Sequence, residues 1–259
     1  MILAHKGVDV FYIDEGFGDA VVLIHGFLEN ASMWKDLTPH LSKTNRVITL
    51  DLLGHGQSGC LGYIHSMEDL ADMLNSVLNH LHIKSSIIIG HSLGGYVALA
   101  YAENYTKKVK GLCLMNSTAK EDSEERKLNR DRAIKAVKQN YKTFVSMAVT
   151  NLFASENRKK LLKAINLVKE EALKTPLQGI IATLEGMKIR KDRLLFFKQA
   201  AFKKMQIIGQ KDSVLNYQSL LEETKNTDIK VVEFSQGHMS HIENKEEFTY
   251  NLLHFIEKI

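Results

Sequence analysis

The stretch Ser86-Ile87-Ile88-Ile89-Gly90-His91-Ser92-Leu93-Gly94-Gly95-Tyr96-Val97-Ala98-Leu99-Ala100 decides the architecture. The apolar run at its start reads as a strand, the run after Gly95 reads as a helix, and only Gly90 to Gly94 separates the two. A chain that reverses this tightly holds its central residue in a strained conformation and leaves no room for side chains at the flanking positions. The Gly-x-Ser-x-Gly spacing therefore predicts that Ser92 stands clear of a strand end as a candidate nucleophile. It also places the N–H of Leu93 at a helix N-terminus, free of an intrahelical partner and directed where an oxyanion would form. A serine needed only to cap the helix would not require glycine on both sides.

Working outward, Val21-Val22-Leu23-Ile24, Val47-Ile48-Thr49-Leu50, Leu112-Cys113-Leu114-Met115, Met205-Gln206-Ile207-Ile208 and Val231-Val232-Glu233-Phe234 are short, mostly apolar runs. Such runs suit strands buried on both faces, which implies a parallel sheet. Val8 to Ile13 alternates instead, and with the turn residues Asp14 to Asp19 it predicts an antiparallel hairpin arm. Ser66-Met67-Glu68-Asp69 is a capping-box start for a helix whose apolar face is Leu70, Met73, Leu74, Val77, Leu78 and Leu81. The fold class is α/β.

The alternation stops after Met115 and resumes at Met205. About four helical patterns lie between, including Arg132 to Val149 and Arg158 to Leu173, with Pro176 as a breaker. This divides the chain into a first core part, 1–118, an inserted helical cap, 119–204, and a second core part, 205–259. The net charge of +4 conceals a polarity, because 119–204 carries 21 Lys or Arg against 10 Asp or Glu. Basic outer helix faces explain this, as does docking of a basic insertion on an acidic core or attraction of anionic substrates. Nucleic acid is not expected as a partner, since no aromatic-interleaved or zinc-finger pattern accompanies the basic residues. No apolar stretch approaches the length of a bilayer span, and Met1 to Lys6 does not begin a signal peptide, so the expected location is cytoplasmic. Cys60 and Cys113 read as free thiols, too few for a cysteine-based zinc site. No metal-ligand spacing and no phosphate-binding loop occur, so no cofactor is expected.

A serine hydroxyl is a poor nucleophile at neutral pH and needs a general base, which in turn needs an orienting group. Loops beyond the carboxyl ends of parallel strands are where such groups collect. Asp212 follows Ile207-Ile208 through Gly209-Gln210-Lys211, and His238 follows Val231 to Phe234 through Ser235-Gln236-Gly237. His241 competes with His238, but the preceding glycine and the position directly off the strand favour His238. Asp51 competes with Asp212; it precedes the serine turn in a glycine-rich loop that suggests backbone packing. His25 and His91 read as buried, hydrogen-bonded side chains.

In the order Ser92, Asp212, His238 the chain resembles the α/β-hydrolase superfamily along nearly its whole length. His25-Gly26-Phe27 is similar to the family's oxyanion loop, which implies that the N–H of Phe27 joins that of Leu93. Asp51-Leu52-Leu53-Gly54-His55-Gly56-Gln57-Ser58 resembles a structural loop of the family at the rim of the site. Leu53 and Lys245 depart from a frequent basic residue and a frequent proline, and neither touches the triad. The resemblance implies a serine hydrolase, carboxylesterase-like, acting on small-molecule esters through an acyl-enzyme. Carbon-carbon bond hydrolases, lactonases and cofactor-free haloperoxidases use the same triad, and a small-molecule-binding signalling protein with slow turnover is a reading from another class. Phe144, Met147, Phe153, Met187, Phe196 and Phe197 form either the cap's own core or the wall of an acyl pocket. Nothing in the pattern specifies an oligomeric state.

Overall fold

In the apolar runs successive side chains point to opposite faces of the sheet, and both faces are covered. The computed structural model describes residues Met1–Ile259. Its eight strands are β1 (Ile2–His5), β2 (Val8–Gly16), β3 (Asp19–Ile24), β4 (Asn45–Leu50), β5 (Ser86–His91), β6 (Val109–Met115), β7 (Lys203–Gly209) and β8 (Lys230–Phe234). They form one sheet in the order β1-β2-β4-β3-β5-β6-β7-β8. From β4 to β8 all pairings are parallel. Val22, Ile24, Ile88, Leu112 and Leu114 enter one core, while Val21, Leu23, Ile87, Ile89, Cys113 and Met115 enter the other. This division explains why the strands read as continuous apolar runs.

The hairpin arm differs in partner from the expectation. β2 pairs antiparallel with β1 through the Lys6-Gly7 turn and with β4 on its other side. It extends to Gly16, so residues expected in the turn continue the strand, and the short link to β3 joins strands that are not neighbours. The alternation of Val8 to Ile13 identified the strand but carried no information on which neighbour it would find.

Six helices flank the sheet outside the long β6–β7 connection. They are α1 (Thr38–Leu41), α2 (Met67–His80), α3 (Leu93–Asn104), α9 (Tyr217–Thr224), α10 (Ser240–Glu243) and α11 (Lys245–Glu257). Ser66 caps α2 by accepting the N–H of Asp69, and Leu70, Met73, Leu74, Val77 and Leu78 are buried as their spacing predicts. Cys60 and Cys113 are both free.

Residues between β6 and β7 hold five further helices: α4 (Glu124–Gln139), α5 (Tyr141–Leu152), α6 (Leu162–Ala172), α7 (Leu177–Lys188) and α8 (Leu194–Gln199). The pattern Arg132 to Val149 is therefore two helices. Asn140, at φ −148° and ψ 85°, breaks the first and caps the second by accepting the N–H of Thr143. Arg158 to Leu173 is helical only from Leu162, and β7 begins two residues before Met205 because Lys203 and Lys204 extend the ladder to β6. Asp122 is fully buried and bound by Arg126, Arg130 and Arg190, which neutralise it within the segment. Arg193 reaches out of the segment to Glu68 at 2.7 Å and Glu103 at 2.9 Å, so part of the basic excess does meet core carboxylates.

Candidate active site

The chain leaves β3 toward β4 on one side and resumes at β5 on the other, so β3 marks the point where the winding reverses. Ligand sites of open α/β sheets gather at the carboxyl ends of strands around such a point. The Ser92 turn follows β5 and the Phe27 loop follows its neighbour β3.

Ser92 has φ 50° and ψ −112°, and its side chain makes no capping bond to α3. The capping explanation is thereby removed, leaving a strained serine with an uncommitted hydroxyl. A Cβ on Gly90 would lie 2.2 Å from the Gly94 carbonyl oxygen, and one on Gly94 would lie 2.3 Å from that of Ile24. Both glycines are thus required by backbone contact. The turn is pinned by Ser92 N–H to Met115 O at 2.9 Å and by Ser117 Oγ–H to Ser92 O at 2.8 Å. Leu93 is the first residue of α3, so its N–H is one of the donors a helix leaves unpaired.

The structure brings His238 and Asp212 together. The imidazole Nδ1 donates to Asp212 Oδ2 at 2.7 Å, which directs Nε2 away from the carboxylate. Asp212 Oδ1 accepts the N–H groups of Val214 and Leu215 at 2.8 and 3.1 Å. Burial pushes the pKa of this carboxyl up, but the charge and hydrogen bond of His238 together with the backbone donors outweigh it and hold the group below the usual carboxylate range. His238 also lies against the serine turn: its ring centroid is 5.0 Å from that of His91, the residue preceding Ser92.

The competing residues have other partners. Asp51 accepts the N–H of Ala31 at 2.7 Å and that of Gln57 at 2.8 Å, with no histidine attached. It fastens its own loop, and a Cβ on Gly56 would overlap its carboxylate at 2.1 Å. His25 Nε2 accepts the N–H of Leu52 at 2.9 Å, which leaves Nδ1 to donate to Gly26 O at 2.7 Å. That ring is a neutral bridge between loops, and burial holds its pKa down. Burial likewise pushes His241 to about 4, and Asp212 bonds to His238 rather than to it.

Three features were not anticipated. Asn116, at φ 44° just beyond β6, donates to Asp212 Oδ2 at 3.2 Å and to Gly237 O at 3.3 Å, and accepts from Ser240 Oγ at 2.7 Å. It joins the acid loop to the histidine loop. An asparagine directly after an apolar strand, a residue type tolerant of positive φ, was the available signal. Leu28, beside Phe27, sits at φ 63° in a turn closed by Glu29 N–H to Gly26 O at 3.3 Å. Glu29 is buried and bonded to both Gly26 and His91.

The helical segment meets the site directly. The N–H of His238 donates to Leu152 O at 2.9 Å, and Glu243 accepts the N–H groups of Gly237 and Ala154, each at 3.0 Å. Phe153, Met187 and Phe197 are buried in the main core, whereas Met147 is 60% exposed. A cavity of about 430 Å³ lies beside the Gly26–Glu29 turn, bordered by Leu28, Glu29, Trp34, Leu167, Met239 and Phe248. Ser92, Asp212 and His238 are not among its lining residues.

Residues 19–245 match the model of the alpha/beta hydrolase fold family, and the chain belongs to that family. It is similar to a thermophilic esterase from Thermogutta terrifontis at a TM-score of 0.92 and 28% identity, covering 99% of this chain and 96% of that one. It is similar in fold to the enol-lactonase from Burkholderia xenovorans LB400, at a TM-score of 0.92 and 21% identity over 99% and 100% of the two chains. Among curated relatives, the cis-3-alkyl-4-alkyloxetan-2-one decarboxylase of Shewanella oneidensis is 31% identical over 121 residues, 45% of this chain and 38% of that protein. The chain thus spans well under half the length of that relative. No helix is long and apolar enough to cross a membrane.

Proposed function

We propose that the chain is a serine hydrolase cleaving carboxylic esters of small to medium acyl substrates through an acyl-enzyme. The observation that carries this reading is the strained, uncapped Ser92, whose neighbour His91 packs 5.0 Å from the ring of a His238 bonded to Asp212 at 2.7 Å. His238 Nε2 removes the Ser92 Oγ proton as Oγ attacks the ester carbonyl carbon. Asp212 fixes the ring tautomer and stabilises the imidazolium, and positioned proton transfer of this kind contributes about a hundred- to ten-thousandfold. The N–H groups of Phe27 and Leu93 receive the tetrahedral oxyanion, each worth on the order of 3 kcal/mol in the transition state. As the intermediate collapses, the carbon–oxygen bond to the alcohol breaks and the alcohol leaves with the proton from His238. Water then repeats the sequence on the acyl-enzyme, releasing the acid and restoring Ser92. No step calls for a cofactor or metal.

Residues 119–204 act as the cap, and a cytoplasmic location fits this reading. The likeness to the Thermogutta esterase over nearly the full length of both chains supports ester hydrolysis among the chemistries open to the triad. The test is hydrolysis of p-nitrophenyl butyrate together with labelling by a fluorophosphonate. The parent protein should turn over and take up one label, and Ser92→Ala should do neither while remaining folded. Labelling that persists in Ser92→Ala would place the nucleophile elsewhere. Saturable ligand-induced stabilisation without turnover would favour the binding-protein reading.

A further inference from the structure

Glu29 and His91 take no part in the proton transfers above, yet they occupy the joint between the segments that perform them. Glu29 Oε2 accepts the N–H of Gly26 at 2.6 Å and the Nδ1–H of His91 at 2.7 Å. His91 Nε2 lies 3.0 Å from the backbone oxygen of His238. A carbonyl oxygen only accepts, and an ionised carboxylate only accepts, so both ring nitrogens of His91 must carry protons. The pair is therefore an imidazolium against a carboxylate, with side chains only 1% and 4% exposed. Burial opposes both charges. The charge and hydrogen bond of His91 nonetheless hold Glu29 at about 2, and those of Glu29 hold His91 above its ordinary value.

We propose, on the basis of the triad reading, that Glu29 and His91 are a positioning pair that holds the oxyanion loop, the nucleophile turn and the general-base loop in register for ester hydrolysis. Gly26 precedes Phe27, His91 precedes Ser92, and the accepting carbonyl belongs to His238 itself. Every reactive group apart from Asp212 is thus on, or next along the chain to, a residue bonded to this pair or, for Leu93, two residues from it. Stability alone is a poor reason for such a pair, because well-packed apolar residues in place of a buried ion pair are often as stable or more so. The placement answers a different need. Ser92 at φ 50° and Leu28 at φ 63° both persist only if their surroundings over-determine them. A Cβ on Gly26 would lie 2.5 Å from Glu29 Oε2 and 2.7 Å from His91 Nδ1, so the oxyanion loop closes on the pair with no space to spare.

The experiment compares Glu29→Ala with Glu29→Gln, reading kcat and KM for p-nitrophenyl butyrate and normalising to fluorophosphonate-labelled sites. A misplacement near 1 Å costs about a hundredfold in rate, so Glu29→Ala should lower kcat about 30- to 100-fold with KM changed less than about threefold. Glutamine keeps an acceptor of the same reach, so Glu29→Gln should recover kcat to within about tenfold of the parent. The pH profile adds a second readout. In Glu29→Gln, His91 loses its counter-charge, and its titration should enter the kcat profile as an ionisation absent from the parent; His238, Asp212, His241, His25 and Asp36 are the other ionisable groups around it. A Glu29→Ala kcat within twofold of the parent, or equal losses in the alanine and glutamine variants, would overturn the proposal. If the alanine variant fails to fold, a Glu29→Gln kcat and pH profile indistinguishable from the parent overturns it, and a kcat loss with the added titration supports it. Failure of the triad reading would be separate, appearing as absence of labelling at Ser92 in the parent.

Discussion

Replacing Gly94 by alanine tests the geometry of the proposed oxyanion site without touching any group assigned to move a proton. The added Cβ would lie 2.3 Å from Ile24 O and 2.7 Å from His25 O, where ordinary contact begins at 3.4 Å. Both neighbours are backbone atoms and cannot rotate aside, so β3 and the start of α3 must separate by about 1 Å. These are the two elements that carry Phe27 and Leu93, the proposed oxyanion donors, so on that proposal one of the two N–H groups moves out of hydrogen-bond range of the oxyanion. Losing one such donor costs about a hundred- to a thousandfold in kcat. Overpacking adds about 2 kcal/mol of destabilisation, which in a chain of this size lowers Tm by roughly 4–8 °C. The assay is kcat on p-nitrophenyl butyrate with a thermal melt on the same preparation. Gly62→Ala is the control: it has φ +71° and open space around it, so it should lose about 1 kcal/mol from backbone strain and keep its kcat. A Gly94→Ala kcat within threefold of the parent would show that the close approach of β3 and α3 does not set the oxyanion site.

Further outcomes follow from the same contacts. Asp212→Asn should lower kcat by about ten-thousandfold by disturbing the His238 tautomer, whereas Asp51→Asn should act mainly on stability; equal losses of kcat in folded protein would remove the distinction. The Glu29–His91 pair should make stability depend on pH at both ends. Glu29 is depressed, so its contribution is present above the ordinary 4.5 and is lost as pH falls toward about 2. His91 is raised, so its contribution is full below the ordinary 6.5 and is lost as pH climbs through the higher folded value. The stability difference between the parent and Glu29→Gln, on the order of 3 kcal/mol, should peak between pH 4.5 and 6.5 in chemical denaturation, and a flat difference from pH 3 to 9 would contradict it. On the substrate side, the single glycine of His25-Gly26-Phe27 is expected to crowd the space beside the scissile carbon of the proposed ester substrate. Ethyl or butyl esters should exceed the matched tert-butyl ester in kcat/KM by about a hundredfold, and near-equal values would refute the crowding.

What could be read from the chain and what could not divide along a physical line. Gly90 to Gly94 announced the turn because only glycine fits where a Cβ would sit 2.2–2.3 Å from a backbone oxygen, so the constraint is written in residue type. Asp212 and His238, which bond to each other at 2.7 Å, could be singled out together because parallel strands bring their loops to one edge, a consequence of topology rather than of local preference. The hairpin partner of β2 was not legible, since alternation fixes which face is buried and says nothing of the neighbour. The break at Asn140 was masked by apolar residues that continue at helical spacing on both sides of it. Glu29 and Asn116 escaped because each works through contacts distant in sequence, 62 residues to His91 and 96 to Asp212. A lone acid or amide in a loop gives no sign of such a partner.

The bond from the His238 amide to Leu152 O has a mechanical meaning. Leu152 ends a helix of the segment between β6 and β7, and Glu243 fastens Ala154 and Asn157 to the same histidine loop. A lid that swung away as an independent flap would have to break these bonds, loosening the His238 loop as it moved. On the proposed mechanism, access from this side and readiness of His238 are one coordinate rather than two: substrate enters past a segment that stays docked at residues 152–157, or the base is disarmed each time the segment opens there.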